Sequence, residues 1–284
     1  MKKQRDYTFA ILVVPPFLIL ILLTIAPLLF TLGTSFTSWN LVKAGSQKFN
    51  GLQNYARMLG DSTFWIVVGN TVYQVIGTVA GQLIIGMVCA YILSRPVRGM
   101  GALRSLYIIP MMMTPIVVGM MWRMLLNTEF GIVNYVLSVI GIPGPNWLGD
   151  AKWAMPSVIM TDWWLSTPFV TMIFVAGIQS MPIEPFEAAS IDGANKFQVF
   201  TLISLPLLKP MIYLAALFRT MDAIKRFDTI YVLTSGGPGL ATETMNLHSY
   251  FHAFSYLNLG YSAALSILMM IISFSAALIF LKKL

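Results

Sequence analysis

The chain has 284 residues, 57% of them hydrophobic and only 10% charged, with a mean hydropathy of +0.76. Soluble domains carry about 25% charged residues, so this much apolar surface excludes one water-soluble core and points to a multi-span membrane protein. The net charge of +7 is not a nucleic-acid footprint, because the basic residues sit between apolar runs rather than in one patch.

Six apolar segments, at about 9–32, 65–94, 105–126, 154–180, 211–233 and 259–281, are each near or above the ~20 residues that cross a bilayer. The predicted fold is therefore all-α and polytopic, with residues 1–8 as a tail and 9–284 as a single transmembrane domain. The first segment follows Met1-Lys2-Lys3-Gln4-Arg5, but it is too long for a signal peptide and no cleavage pattern follows, so it is expected to be a retained helix. Pro15, Pro16 and Pro27 are expected to kink it. The second holds the single cysteine, Cys89, which rules out an intrachain disulfide. In the third, Met111-Met112-Met113-Thr114-Pro115 reads as a packing or bending element.

Polar groups mark the later spans. In the fourth, Asp162 and Ser166 share a helix face, flanked by Trp163 and Trp164, a pairing of aromatic and polar surface that suits a sugar. Between the fourth and fifth, Pro185 suits a first helical turn, Glu184 and Glu187 complement its positive end, and Gly193 offers a stop. The fifth holds Arg219, Asp222, Lys225, Arg226 and Asp228. Charges inside a span cost about 2.5–3.5 kcal/mol each on insertion scales, which makes them functional candidates by default. On one continuous helix, Arg219 and Arg226 nearly coincide in phase and Asp222 lies about 60° away, forming a polar stripe. The structural alternative is an internal ion pair, Arg219 with Asp222 or Asp162. His248 and His252 have the spacing of a metal pair, but no third ligand is evident.

Lys2, Lys3, Arg5, Arg95, Arg98, Arg104, Lys196, Lys209, Lys282 and Lys283 fall on one side, against Lys43, Lys48, Arg57 and Lys152 on the other, with Arg123 at a span end. This bias predicts cytoplasmic termini and a cytoplasmic Glu187 loop. No G-x-x-x-x-G-K-[ST] loop is present, so any ATP that drives the chain binds elsewhere, and no arrangement of side chains supports catalysis.

Glu187-Ala188-Ala189-Ser190-Ile191-Asp192-Gly193, completed by Ile203-Ser204-Leu205-Pro206, resembles the cytoplasmic loop of bacterial ABC importer permeases at every patterned position. Phe49-Asn50-Gly51-Leu52-Gln53-Asn54-Tyr55, the pairs Phe64-Trp65 and Asn70-Thr71, and the run 227–234 with Gly236-Gly237-Pro238 and Thr242-Glu243-Thr244 are similar to the sugar-importing, maltose-transporter-type branch. The likeness is to its first, larger permease subunit in a short six-span form.

This resemblance implies a type I ABC importer permease in the bacterial inner membrane. Glu187, Ala188, Ala189, Asp192 and Gly193 would seat a coupling helix in a separate ATPase, which would carry ATP-Mg, leaving this chain without a cofactor. Asp162, Leu165, Ser166, Arg219, Asp222 and Arg226 would lie near the sugar. The implied partners are a second permease, two ATPase copies and an external binding protein. The alternative is an ion-coupled secondary transporter whose Asp162 and Asp222 bind protons or cations.

Overall fold

The computed structural model describes residues 2–283, with side chains from Leu12 onward. Its helices, in chain order, are α1 (Lys2–Ser35), α2 (Gln53–Gly60), α3 (Ser62–Leu93), α4 (Met100–Met112), α5 (Pro115–Leu125), α6 (Ile132–Val139) and α7 (Ala151–Gln179). They continue with α8 (Glu184–Ile191), α9 (Lys196–Val199), α10 (Leu205–Ile224), α11 (Asp228–Thr234), α12 (Met245–Tyr250) and α13 (Leu259–Leu281). Two π-helical stretches, Phe200–Ser204 and Phe251–Ser255, follow α9 and α12. Among the described residues, five helices are long and apolar enough to cross a membrane: α1 from Leu12, α3, α7, the run Lys196–Ile224 and α13. The sixth candidate is the pair α4 and α5, bent by 94°.

Two spans differ from the sequence expectation. The third is broken. Thr114 precedes Pro115 and is extended (φ −68°, ψ 137°), as the steric demand of a following proline favours. Pro115 then opens α5, where its missing N–H costs nothing. The fifth span is a run from Lys196 to Ile224 rather than 211–233. Its Ile203-Ser204-Leu205-Pro206 segment is not a loop but helix, continuous through the π-helical turn. There the Leu205 N–H reaches back to the Phe200 carbonyl, one residue further than an α-helix, just before Pro206 interrupts the ladder.

The chain divides into two compact units, residues 1–64 with 248–270, and residues 65–247 with 271–284. Within the second, α7 is the hub. Some 67% of its apolar window is buried, against 28% or less for the other long helices. It packs on α4, α5, α10 and α11, while Ala90, Leu93, Val170, Phe174, Val175 and Ala215 join it to α3 and α10 in one apolar cluster. Glycine brings α3 close to it. A Cβ on Gly81 would stand 2.2 Å from the Trp163 ring, and one on Gly77 2.8 Å from Ile159. Trp163 Nε1 donates to the carbonyls of Gly77 and Thr78 at 3.0 and 3.2 Å. Gly77-x-x-x-Gly81 is thus a small-residue helix interface of the kind that membrane proteins use in place of hydrophobic drive.

In the first unit, Asn54 Nδ2 donates to the carbonyls of Ser35 and Thr37, both at 2.8 Å, tying α2 to the end of α1. The Arg57 guanidinium lies 5.3 Å from the Tyr261 ring centre. His252 packs on Tyr261 at 4.3 Å and on His248 at 4.5 Å, so the histidine pair is engaged in ring packing. Burial, reinforced by His248 and Arg57 and opposed by Asp61, lowers the His252 pKa from 6.5 to about 4.

Two outcomes follow for stability in detergent. Gly81→Ala should destabilise by about 1–3 kcal/mol, the usual cost of overpacking, whereas Gly69→Ala meets nothing within 4 Å and should gain up to about 1 kcal/mol of helix propensity. A Gly81→Ala melting temperature equal to that of the parent would contradict the close approach. For His252 the folded state holds the neutral ring, so its contribution is full above pH 6.5 and is lost as pH falls from there towards about 4. Thermal scans across that window should show the fall, and His252→Phe should flatten it.

Candidate functional site

Four charged side chains meet where α3, α7 and the end of α10 converge. Asp162, fully buried on α7, receives Arg226 Nη2 on one carboxylate oxygen at 2.9 Å and Arg219 Nη2 on the other at 3.2 Å. Arg219 Nη1 also reaches Asp222 Oδ2 at 3.1 Å, one turn along α10. Ser166, a turn beyond Asp162, donates to Asp162 Oδ1 at 3.2 Å and accepts from Arg226 Nη2 at 3.4 Å. Two carboxylates and two guanidiniums make the cluster formally neutral.

Gln82 on α3 completes it. Its Oε1 accepts from Arg219 Nε at 2.7 Å, and its Nε2 donates to the Asp162 carbonyl at 3.0 Å. A charge-based reading of the spans passes over Gln82; the signal was an amide inside a span, which once buried must find partners. The glycine contact of α3 with α7 places it, since Gly81 and Trp163 are the chain neighbours of Gln82 and Asp162.

The predicted single-helix stripe is corrected here. Helix α10 ends at Ile224, so Arg226 stands beyond it, in the turn before α11. That end has no local Gly or Pro to announce it. The Lys225 carbonyl is instead satisfied by Asn246 Nδ2, 21 residues on, at 2.6 Å. Arg226 therefore joins the cluster through a turn rather than through helical phase.

A cavity of about 250 Å³ opens on the cluster, lined by Leu165, Ser166, Phe169, Arg219, Asp222 and Arg226, with Met111, Met113 and Pro115 from the broken α4–α5 span. Asp162 lies behind the arginines rather than on this lining. Asp222 is the open group, its side chain 61% exposed against 13% for Arg226 and 4% for Arg219. Arg226 Nε is buried without an acceptor, leaving one donor unused. Trp163 is spent on the α3 backbone, and Trp164 packs edge-on against Trp122 at 6.1 Å.

The Glu187 segment forms α8. Its end is a Schellman motif: Gly193 takes φ +70°, the Gly193 N–H reaches the Ser190 carbonyl at 3.3 Å, and the Ala194 N–H reaches the Ala189 carbonyl at 2.9 Å. Asn195 and Gln198 then start α9 with a reciprocal capping box. Glu187, Ala188, Asp192 and Gly193 are exposed, but Ala189 is buried against the chain itself and is not offered to a partner.

Residues 82–281 match the family described as binding-protein-dependent transport system inner membrane component. The chain is 37% identical over 285 residues to the trehalose/maltose transport system permease protein of Thermococcus litoralis, covering 99% of this chain and 95% of that protein. It is 34% identical over 278 residues to the sulfoquinovosyl glycerol transport system permease protein of Agrobacterium fabrum, covering 98% and 90%. In structure it superposes on a chain of a bacterial alginate ABC transporter, crystallised with its alginate-bound periplasmic protein, at a TM-score of 0.84 and 18% identity over 98% of this chain and 93% of that one. That likeness gives the type I ABC importer permease fold.

The geometry assigns Asp162 a structural weight that Asp222 lacks. Asp162→Ala should cost about 3–5 kcal/mol, since it removes the carboxylate that Arg226 pairs with and leaves the buried Arg219 only the open Asp222. Asp222→Asn, at an open carboxylate, should change stability by less than about 1 kcal/mol. Denaturation of the two variants in the same detergent measures the contrast, and equal losses would contradict it.

Proposed function

Because the chain belongs to the binding-protein-dependent transport system inner membrane components, we propose that it is a permease subunit importing a neutral, polyhydroxylated sugar or glycoside. The membrane-embedded character follows from its apolar helices; the termini and α8 lie on the cytoplasmic side, where the Lys and Arg bias puts them. The chain works with a second permease, two copies of an ATPase that hold ATP-Mg, and an external binding protein. The relatives' names support the sugar class.

The observation that carries the substrate assignment is the balanced cluster beside the cavity. Asp162 and Arg219, the most deeply buried pair, act as a brace. Asp222 presents an open acceptor, and the polar Ser166 and Arg226 line the cavity beside the apolar Leu165 and Phe169. A sugar, with hydroxyls at its rim and C–H faces, matches that surface through charge-assisted hydrogen bonds. An anion would meet the Asp222 carboxylate and guanidiniums already compensated by Asp162. Ion-coupled transport by this chain alone is disfavoured, because both carboxylate oxygens of Asp162 are engaged by arginines and offer no open site for a cation.

The exposed α8 couples transport to ATP hydrolysis. Glu187 offers a charge at the helix surface, and the Schellman stop at Gly193 fixes how the chain leaves the helix for the fifth span, so a push on α8 is delivered to α10 and to Arg219 near its end. ATPase closure then biases the permease between its two access states.

Uptake of labelled sugar by the assembled transporter tests this. Glu187→Ala or Gly193→Val should abolish uptake and binding-protein-stimulated ATPase while membrane levels persist, valine being excluded from the positive φ. Arg226→Gln should reduce uptake of a neutral sugar roughly tenfold, the worth of one hydrogen bond to a charged group. Complete loss would indicate an anionic substrate instead, and undiminished uptake would remove Arg226 from the site.

A further inference from the structure

The second unit holds a larger cavity, about 680 Å³ against 250 Å³ at the arginine cluster, and no substrate chemistry explains it. It lies between the last turns of α3 and the start of the fifth span, with α8 as its third wall. Val88 and Ile92 line it from α3, Phe186 from α8, and Val199 and Phe200 from the fifth span. Lys196 is the charged residue on the lining; it is exposed and forms no ion pair among the described residues. Phe200 and Ser204, the first and last residues of the π-helical stretch, both face the cavity. A π-turn inserted in a span widens it locally and tends to mark function, and here the widened turn is the wall itself.

We propose that this cavity binds an anionic phospholipid of the inner leaflet, one acyl chain lying along Val88, Ile92 and Phe200 and the phosphate meeting Lys196. The location is a membrane boundary, where one span ends at Leu93 and another begins at Lys196. The charge complementarity is one-sided, since among the described residues no carboxylate lines the cavity. Arg95 and Arg98 follow immediately on α3 and add to the positive potential of that edge. Basic pockets between helices on the cytoplasmic side suit phosphate head groups, and the volume falls within the range of ligand sites. Phe186 and Ser190 of α8 form part of the wall, so the occupant props the helix that carries Glu187. That last consequence rests on the coupling role proposed for α8; the binding itself does not.

The test uses the full-length chain in nanodiscs, with phosphatidylglycerol or phosphatidylcholine bearing a photoreactive group on one acyl chain. The expected result is labelling of segments 87–92 and 199–204 by the phosphatidylglycerol probe, at least fivefold above the phosphatidylcholine probe. Lys196→Gln should remove that preference without reducing phosphatidylcholine labelling. Val88→Trp, at a position 58% exposed and so tolerant of bulk, should abolish labelling of both segments. Equal labelling by the two probes, or labelling elsewhere only, overturns the proposal. So does efficient disulfide or bismaleimide cross-linking of Val88→Cys to the second permease or the ATPase in the assembled transporter, which would make the occupant a protein. Because labelling is read without transport, loss of the sugar assignment would leave the result unchanged.

Discussion

The contact of Trp163 with the bare backbone at Gly81 is the constraint on which the second unit depends. A tryptophan ring laid where a Cβ would stand fixes both the separation and the register of α3 and α7. With that register set, the residues next along each helix, Gln82 and Asp162, fall within hydrogen-bond reach, and the amide can hold Arg219 from one side while the carboxylate holds it from the other. A charge cluster in an apolar medium survives only if every member is paired. The glycine contact makes the pairing possible, and the pairing in turn leaves Asp222 as the most open charged group of the cluster.

How much of this was legible in the sequence depends on how local its cause is. The spans were readable because each is a run of apolar residues, and the last, 259–281, coincides with its helix. The stop at Gly193 was readable because a positive φ at a helix end selects glycine. The end of α10 was not, since its cap is Asn246, an uncharged side chain brought in by tertiary structure. The role of Trp163 was misread for the same reason. Beside a polar stripe it suggested a sugar platform, but its partner is a pair of glycines more than 80 positions earlier, invisible to helical phase.

The fifth span and α8 also behave as one object. The Schellman stop, the capping box two residues later and the π-turn follow one another without a flexible residue run between Ile191 and Leu205. Each device satisfies backbone groups of its own helix end, so the direction change is made by hydrogen-bonded turns. A lever needs that stiffness, and the exposed faces of Glu187, Ala188 and Asp192 ride on it.

The 94° break at Thr114 has a bearing on biogenesis. At 1.5 Å per residue, the 13 residues of α4 and the 11 of α5 extend only about 20 Å and 17 Å, short of the ~30 Å hydrocarbon layer. Neither half is a competent insertion unit, and the opened backbone between them is unwelcome in lipid unless protein covers it. That cover is α7 and α11, both translated later. The order of synthesis and the order of settling therefore differ: the region around the cavity is made early but takes its final place only after its wall has been made.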